Sequence, residues 1–384
     1  MQQKVIIIGG GIGGLASGIA LHRAGWQVKI LEQAPKFGEV GAGISLWPNS
    51  LRALDMLGVG EKVRKVGGVE SAAGFRHKNG EWLFRSNIEA LEKAYGQTIL
   101  IHRADLIDIL VSALPPRALT LSAKVTNIEA DENGVIVTHA KGIDTAELLV
   151  AADGIHSLTR TKFWPEAEPP QYAGYTTWRF IAPKLNIEPE TSESWGNGER
   201  VGIFPFSNGQ IYSYLGASVP PGGKNKDELA ELKRRFSSWH EPIPTLLNSV
   251  KSSTILRNDI FTVPPLETYV KGRVVLVGDA AHAMTPDFGE GGGTALEDAV
   301  ELGRILSQTS DLASGLREFD VIRRPRTQTI AKQSAQFGKI AQWSWPPAVA
   351  LRNGVVRLLP HALFIKALGP MLSWGMETKI NRKR

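Results

Sequence analysis

The 384-residue chain contains no cysteine. That excludes disulfides, thiolate metal sites and a cysteine nucleophile, and it leaves any redox chemistry to a bound cofactor. The composition fits a reducing cytoplasm, which is the expected compartment. The chain also lacks any run of about 18 uncharged apolar residues, so no segment reads as a membrane span. The first strand begins after three residues, leaving no room before it for a signal peptide. Basic residues are not interleaved with aromatics, which excludes the usual signature of nucleic-acid binding. His, Asp and Glu nowhere fall at metal-ligand spacing, and there is no internal repeat or low-complexity tract. Charge is nearly balanced: the net excess is +6. Part of it sits in the tail at Lys379, Arg382, Lys383 and Arg384, which reads as a solvated terminus. A basic surface attracts anionic ligands.

What is present is most concentrated between Lys4 and Glu32. Lys4 to Ile8 reads as a buried parallel strand, because it is apolar and mostly β-branched. Gly9, Gly11 and Gly14 follow in G-x-G-x-x-G spacing. Ile12 to Ala24 has helical period, Gly25 ends that helix, and Gln27 to Leu31 forms a second strand closed by Glu32. Glycines at these positions let the backbone turn tightly and approach a pyrophosphate at the positive end of the helix. An acid at the end of the second strand accepts hydrogen bonds from ribose hydroxyls. The combination points to a dinucleotide site. A glycine-rich packing turn accounts for the spacing but not for the acid.

Further on, Gly38, Gly41 and Gly43 mark a loop that can run close to a flat ligand. Ser50 to Leu57 reads as helix. Gly74 to Ser86 reads as a hairpin about Asn79-Gly80. A helix is expected over Ala104 to Leu114, strands over Lys124 to Ala130 and Val135 to His139, and a short buried strand over Leu148 to Ala152. Tyr175 to Ala182, Arg200 to Pro205 and Gln210 to Ala217 read as antiparallel strands, with Asn208-Gly209 as a hairpin turn. Asp227 to Trp239 reads as helix, Gly272 to Val277 as a parallel-type strand, and Gly291 to Leu306 as a long helix. The last fifty residues read as helical. The expected fold is α/β: a Rossmann-like cofactor domain with an inserted antiparallel β-sheet substrate domain and C-terminal helices. Its expected parts are 1–75, 99–172 and 271–335 for the first, 76–98 and 173–270 for the second, and 336–384 for the helices.

Three later clusters carry chemistry. Ala151-Ala152-Asp153-Gly154 leads through His156 and Ser157 to Arg160. This suits either a phosphate-bearing ligand or a capped turn. Gly278-Asp279-Ala280-Ala281-His282 follows a strand and is trailed by Met284 and Pro286. Asp279 at the strand's carboxyl end is placed to bind a ribose or polyol. Gly289-Glu290-Gly291-Gly292-Gly293 opens the long helix, whose free N–H groups and dipole favour an anion developing on a ring system. His102, His156 and His282 read as local hydrogen-bonding residues, and Met284 and Trp47 as packing.

In this order the motifs resemble the single-component flavoprotein monooxygenases, the aromatic hydroxylase class, over residues 4 to about 330. The resemblance implies FAD, with NADH or NADPH as co-substrate and O2 as oxidant. NAD(P)H would reduce the flavin, a C4a-hydroperoxide would form, and one oxygen atom would pass to a small aromatic or heteroaromatic ring. It places the ADP part on Gly9, Gly11, Gly13, Gly14, Glu32 and Gln33, with Ser45 also at the cofactor. Arg103 matches the arginine at the flavin phosphates. Val125 matches the residue whose backbone meets adenine. Asp279 falls at the ribityl-pyrophosphate region, and Gly289, Glu290, Gly291, Gly292 and Gly293 at the isoalloxazine. Asp153 belongs to a motif tied to FAD and NAD(P)H. Many relatives have Gln where this chain has Glu290, and a carboxylate there disfavours an anionic reduced ring unless it points away.

Within the class, Ile44 to Asn49, Tyr172 to Tyr175 and Gly198 to Val201 are similar to the FAD-dependent urate hydroxylases. On that resemblance Arg200 binds an anionic substrate and favours its deprotonation, Tyr212 orients it, and Thr177 replaces a substrate-side Asn. Loss of that amide weakens the case for a purine. Arg200 and Tyr212 share a sheet face only if the intervening loop has an odd number of residues or a bulge. Two alternatives stand beside a small-ring hydroxylase. One is an epoxidase or hydroxylase of a larger lipophilic isoprenoid or polyketide. There the Trp- and Leu-rich C-terminal segment borders a wide pocket or makes a weak peripheral membrane contact, against the plainer reading of a helix packed on the cofactor domain. The other is a non-catalytic flavin-binding protein. Oligomeric state stays open.

Overall fold

The computed structural model describes residues 2–38, 42–70 and 73–376. Gly41 and the basic tail from Lys379 onward lie outside them. Lys4–Ile8 and Gln27–Leu31 pair in parallel, with helix Ile12–Arg23 between them. On the other side Lys4–Ile8 pairs with Leu148–Ala151, which pairs in parallel with Val274–Leu276. Val270–Lys271 and Leu119–Thr120 complete a six-stranded sheet. Its central strands are buried on both faces, as continuous apolar runs require. Helices Ile12–Arg23 and Gly291–Leu306 cover one face, and Gly303 allows the close approach, since a Cβ there would sit 2.8 Å from Ala20. A three-stranded antiparallel sheet, Val125–Ala130, Val135–His139 and Gly142–Ala146, covers the other. Its third strand carries polar residues and no apolar alternation, and the sequence reading passed over it.

A second sheet has seven strands, in the order Leu256–Thr262, Gln171–Ala182, Ile211–Ala217, Glu199–Pro205, Ser192–Trp195, Gly74–His77 and Trp82–Arg85. Trp178, Phe180, Val201, Ile203 and Leu215 pack its one face against helices Glu228–Phe236 and Ile243–Ser249. The alternate residues therefore point the other way. Pro205 pairs with Ile211, so the loop between them holds five residues. The odd-loop condition is met, and Arg200 and Tyr212 lie on the same face. The strands Ser192–Trp195 and Leu256–Thr262 were not expected from sequence. Both are short of β-branched alternation, and pairing with neighbours holds them in place.

The chain ends in the 30-residue helix Leu312–Ala341, then Pro346–Arg357 and His361–Leu372. A buried ionic lattice fastens this end to the first sheet. Arg323 is fully buried and donates to Asp298 Oδ1 at 2.7 Å, Glu297 Oε2 at 2.7 Å and the Thr294 carbonyl at 3.1 Å. Arg326 donates to both oxygens of Glu297 and to the carbonyls of Pro370 and Met371. Removing one member would leave a buried charge unpaired, which costs about 3–5 kcal/mol. The lattice also fixes the start of helix Gly291–Leu306.

Candidate functional site

Three backbone turns converge on one side of the six-stranded sheet. At the first, a Cβ on Gly9 would lie 2.3 Å from the Ala152 carbonyl and one on Gly14 1.9 Å from the Gly9 carbonyl, so both must be glycine for the turn to close. A Cβ on Gly11, in contrast, would meet nothing within 4 Å. Gly11 also caps helix Ile12–Arg23 with no side-chain bond. It therefore leaves open the space in which an anion approaches free N–H groups. Gly13 packs against Ala295 of the late helix. Glu32 is already engaged: Oε2 accepts from the Gly10 amide at 2.6 Å and Oε1 from Ala34 at 2.7 Å. Each oxygen keeps a further lone pair for a hydroxyl. Gln33 beside it is exposed. Val125 opens the first strand of the three-stranded sheet, across from His139.

At the second turn the carboxylate of Asp153 accepts from Ser157 Oγ (2.6 Å) and from the Thr159 amide and hydroxyl (3.1 and 3.0 Å). It shapes the helix start at Ser157. Arg160 crosses to the third turn and donates to the carbonyls of Ala280, Ala281 and Pro264. There Asp298 accepts from the Gly278 amide at 3.0 Å and meets His282 Nε2 at 2.6 Å. Burial works against the charge on Asp298, yet His282 and Arg323 hold its pKa well below the usual carboxylate range. His282 is thus a brace for the turn. Asp279 and Arg103 face each other closely enough to interact electrostatically. Neither side chain hydrogen-bonds to any described residue. Burial lowers the pKa of Arg103 and Asp279 opposes that shift.

Glu290 precedes helix Gly291–Leu306, which has no side-chain N-cap. Its carboxyl turns inward, accepting from Asn49 Nδ2 at 3.0 Å. Burial, reinforced by Glu297, pushes its pKa up to about 8. That shift favours the neutral acid, and the side chain points to Asn49 in the interior. A Cβ on Gly292 would lie 3.0 Å from Ile44 Cδ1, and Gly289 has φ +67°. Trp47 donates to the Phe288 carbonyl at 2.9 Å and holds this loop in place.

Between the turns, the free face of the seven-stranded sheet and the C-terminal helices lies a cavity of about 690 Å³. That is the size class of small-molecule sites. Asp279 and Gly289 border it from one side, and Thr177, Arg179, Arg200, Tyr212 and Asn258 from the sheet. Ile88, Phe75, Phe337, Phe364, Leu368 and Met371 add apolar wall. Thr177 Oγ1 donates to the Asn258 carbonyl at 3.4 Å. Tyr212 is buried, and burial raises its phenol pKa. Its ring lies against Gly43, where a Cβ would approach to 2.8 Å.

Arg200 differs from expectation. Its guanidinium is bonded to Asp287, pairs with Glu193 Oε1 at 3.2 Å and lies 4.9 Å over the Tyr175 ring. Burial disfavours its charge, but Asp287 and then Glu193 overcome this and raise its pKa well above the usual value. Two carboxylates partner it, while its buried Nε has no hydrogen-bond partner among the described residues. Arg179, which sequence reasoning passed over, borders the same cavity. It donates to Asn258 Oδ1 at 2.7 Å, its charge acts on the Tyr212 phenol, its buried Nε has no partner among the described residues, and it forms no ion pair there. Glu70 was also missed. It borders the cavity and accepts from Ser45 Oγ at 2.6 Å, and burial pushes its pKa up to about 7 despite that bond. No motif surrounds either residue. The only sequence signal for Arg179 is a charge at an alternate position of an otherwise apolar strand.

Residues 2–334 match the FAD binding domain family. The chain is 39% identical to the aurachin C monooxygenase/isomerase of Stigmatella aurantiaca, over 92% of this chain and 94% of that protein. It is 34% identical to the FAD-dependent urate hydroxylase of Klebsiella pneumoniae subsp. pneumoniae, over 85% and 88% of the respective chains. Its fold superimposes on Klebsiella pneumoniae HpxO complexed with FAD and uric acid with a TM-score of 0.89, at 29% identity, covering 96% of each chain.

Proposed function

The chain belongs to the FAD-binding aromatic hydroxylase family and is an oxidoreductase, and from that premise we propose that it uses NAD(P)H and O2 to place one oxygen atom on a heteroaromatic ring. The groups left open in the structure fit FAD: the space over Gly11 for its pyrophosphate, Arg103 and Asp279, whose side chains make no hydrogen bond among the described residues, for phosphate and polyol, and the uncapped helix start at Gly291 to Gly293 for the ring. Bound FAD supplies the redox chemistry, namely reduction by the nicotinamide and activation of dioxygen. The protein's residues do the rest. Arg179 and Tyr212 hold an oxygen of the substrate ring and favour its anionic form. Thr177 and Asn258 fix the orientation. Glu70, poised near neutrality beside Ser45, takes up the proton lost from the ring and is the group suited to general acid–base work. The aromatic wall of Phe75, Phe337 and Phe364 keeps water out.

The observation that carries the reading is the cavity's mixed lining, in which hydrogen-bonding sheet residues stand beside apolar residues of the C-terminal helices. It also favours a more specific substrate. A small charged ring such as urate leaves the apolar wall uncovered, whereas a ring with an apolar substituent covers both kinds of lining. The 39% identity to an aurachin C monooxygenase/isomerase agrees with that choice. The test is NAD(P)H consumption by the purified protein with urate, hydroxybenzoates, 6-hydroxynicotinate and alkyl-bearing bicyclic heteroaromatics, with the product mass checked for one added oxygen atom. Coupled turnover of an alkyl-bearing ring supports the proposal. Turnover of urate alone supports the small-ring reading, and no stimulated consumption by any ring removes both.

A further inference from the structure

The C-terminal helices carry an apolar surface that the enzyme's chemistry does not use. Leu351 and Val355 on Pro346–Arg357 and Leu358 at its C-cap repeat at helical spacing, and are 64%, 59% and 83% exposed. Leu363 continues the exposure onto His361–Leu372, and Trp343 and Trp345 flank it on the other side. Isolated exposed apolar side chains are ordinary, but a contiguous run of large ones marks an interaction surface. The two helices together have the hydropathy of a membrane span, but they meet at a 96° bend. Each has 12 residues, about 18 Å of helix, against a hydrocarbon core of about 30 Å. They are built to lie on a bilayer rather than to cross it.

Charge identifies the occupant. From residue 343 to the end the sequence has seven Lys and Arg and one acid, Glu377. Four of the seven, Lys379, Arg382, Lys383 and Arg384, fall in the last six residues. Arg352 is buried and Arg357 bonds Glu81, while Lys366 is exposed and forms no ion pair among the described residues. Against a second copy of this chain, Lys366 would meet a like charge, and the sequence that follows the helix pair adds more of the same sign. Anionic lipid headgroups complement that charge, the exposed leucines reach the acyl boundary, and Trp343 and Trp345 suit the interface. We propose that the helix pair Pro346–Leu372 docks the enzyme on an anionic bilayer surface. The inner side of His361–Leu372 contributes Phe364, Leu368 and Met371 to the cavity wall. The docked helix therefore separates the lipid from the cavity by its own thickness, a short path for an apolar ligand dissolved in the membrane.

The test is co-sedimentation of the full-length FAD-loaded protein with vesicles of phosphatidylcholine alone or mixed with phosphatidylglycerol, at low and high salt. The protein should pellet with the phosphatidylglycerol vesicles and lose binding as salt rises. The triple variant L351S/V355S/L358S should lose at least about tenfold in vesicle affinity while keeping its FAD content and elution volume. Lys366→Glu should lose about fivefold or more. Failure of the wild type to bind phosphatidylglycerol vesicles overturns the proposal, as does a triple variant that binds like wild type. A wild-type dimer that the triple variant converts to monomer, with no vesicle binding, assigns the surface to a second copy instead.

Discussion

The nucleotide side and the substrate side of this molecule are built by different means. On the nucleotide side, backbone geometry makes the site: Gly9 and Gly14 close a turn, Gly11 leaves room, and Gly291 to Gly293 open a helix. On the substrate side, side chains make it: Thr177, Arg179, Tyr212 and Asn258 come from three strands, and Phe337 and Phe364 from two helices far along the chain. Backbone turns demand particular residue types in a short span, so they leave a pattern in sequence. A side-chain wall assembled by sheet pairing leaves almost none.

The sharpest way to break this contrast is at the first turn. Gly14→Ala puts a Cβ 1.9 Å from the Gly9 carbonyl, so it should abolish FAD binding or folding, read as loss of bound flavin in the purified protein. Gly11→Ala meets no protein atom. It should fold normally and weaken FAD binding by about tenfold or more, since a methyl would occupy the pyrophosphate's approach. Unaltered FAD affinity in Gly11→Ala would mean that the open space is not where phosphate sits.

Next comes Arg200→Gln, which strands Asp287 and Glu193 in the interior. It should lower unfolding free energy by about 3–5 kcal/mol, measured by denaturant titration. A direct substrate anchor would instead leave stability unchanged and raise KM. Glu70→Gln should leave FAD bound and reduce kcat by about a hundredfold. It should also remove the ionisation near pH 7 from the kcat profile, since the wild-type group titrates at about 7. A variant with the wild-type profile takes Glu70 out of the chemistry.

Glu290 tests the same contrast through pH. Its ordinary pKa is 4.5 and burial raises it to about 8 in the fold. Across that window the unfolded chain has released a proton that the folded chain keeps. Stability therefore falls as pH rises from about 4.5 to 8, and the loss is complete above the folded pKa. Glu290→Gln mimics the neutral acid and should flatten this part of the stability profile. The check is thermal unfolding at stepped pH, where parallel wild-type and variant curves would show that Glu290 is charged in the fold.

The same contrast explains what could be read in advance. The opening strand, the dinucleotide turn, the Gly278-Asp279 turn and helix Gly291–Leu306 follow from short-range rules and were legible. Arg200 was legible as a candidate site residue, but its ion pairs were not, because its partners Glu193 and Asp287 lie on other elements. Glu297, Asp298, Arg323 and Arg326 look like ordinary surface charges in sequence, yet they form a buried lattice. The acid at Glu32 was read as a ribose acceptor, and the structure shows that it also ties down Gly10 and Ala34. The aromatic C-terminal segment was read mainly as packing, and it supplies cavity wall as well.

The cavity's mixed lining is tested most directly by kcat/KM for one bicyclic heteroaromatic ring carrying alkyl chains of increasing length. The account predicts that kcat/KM rises with chain length until the apolar wall is covered, with each buried methylene contributing up to about 0.8 kcal/mol, and that Phe364→Ala or Leu368→Ala flattens the rise. Values that are independent of chain length, or highest for the bare ring, would contradict it.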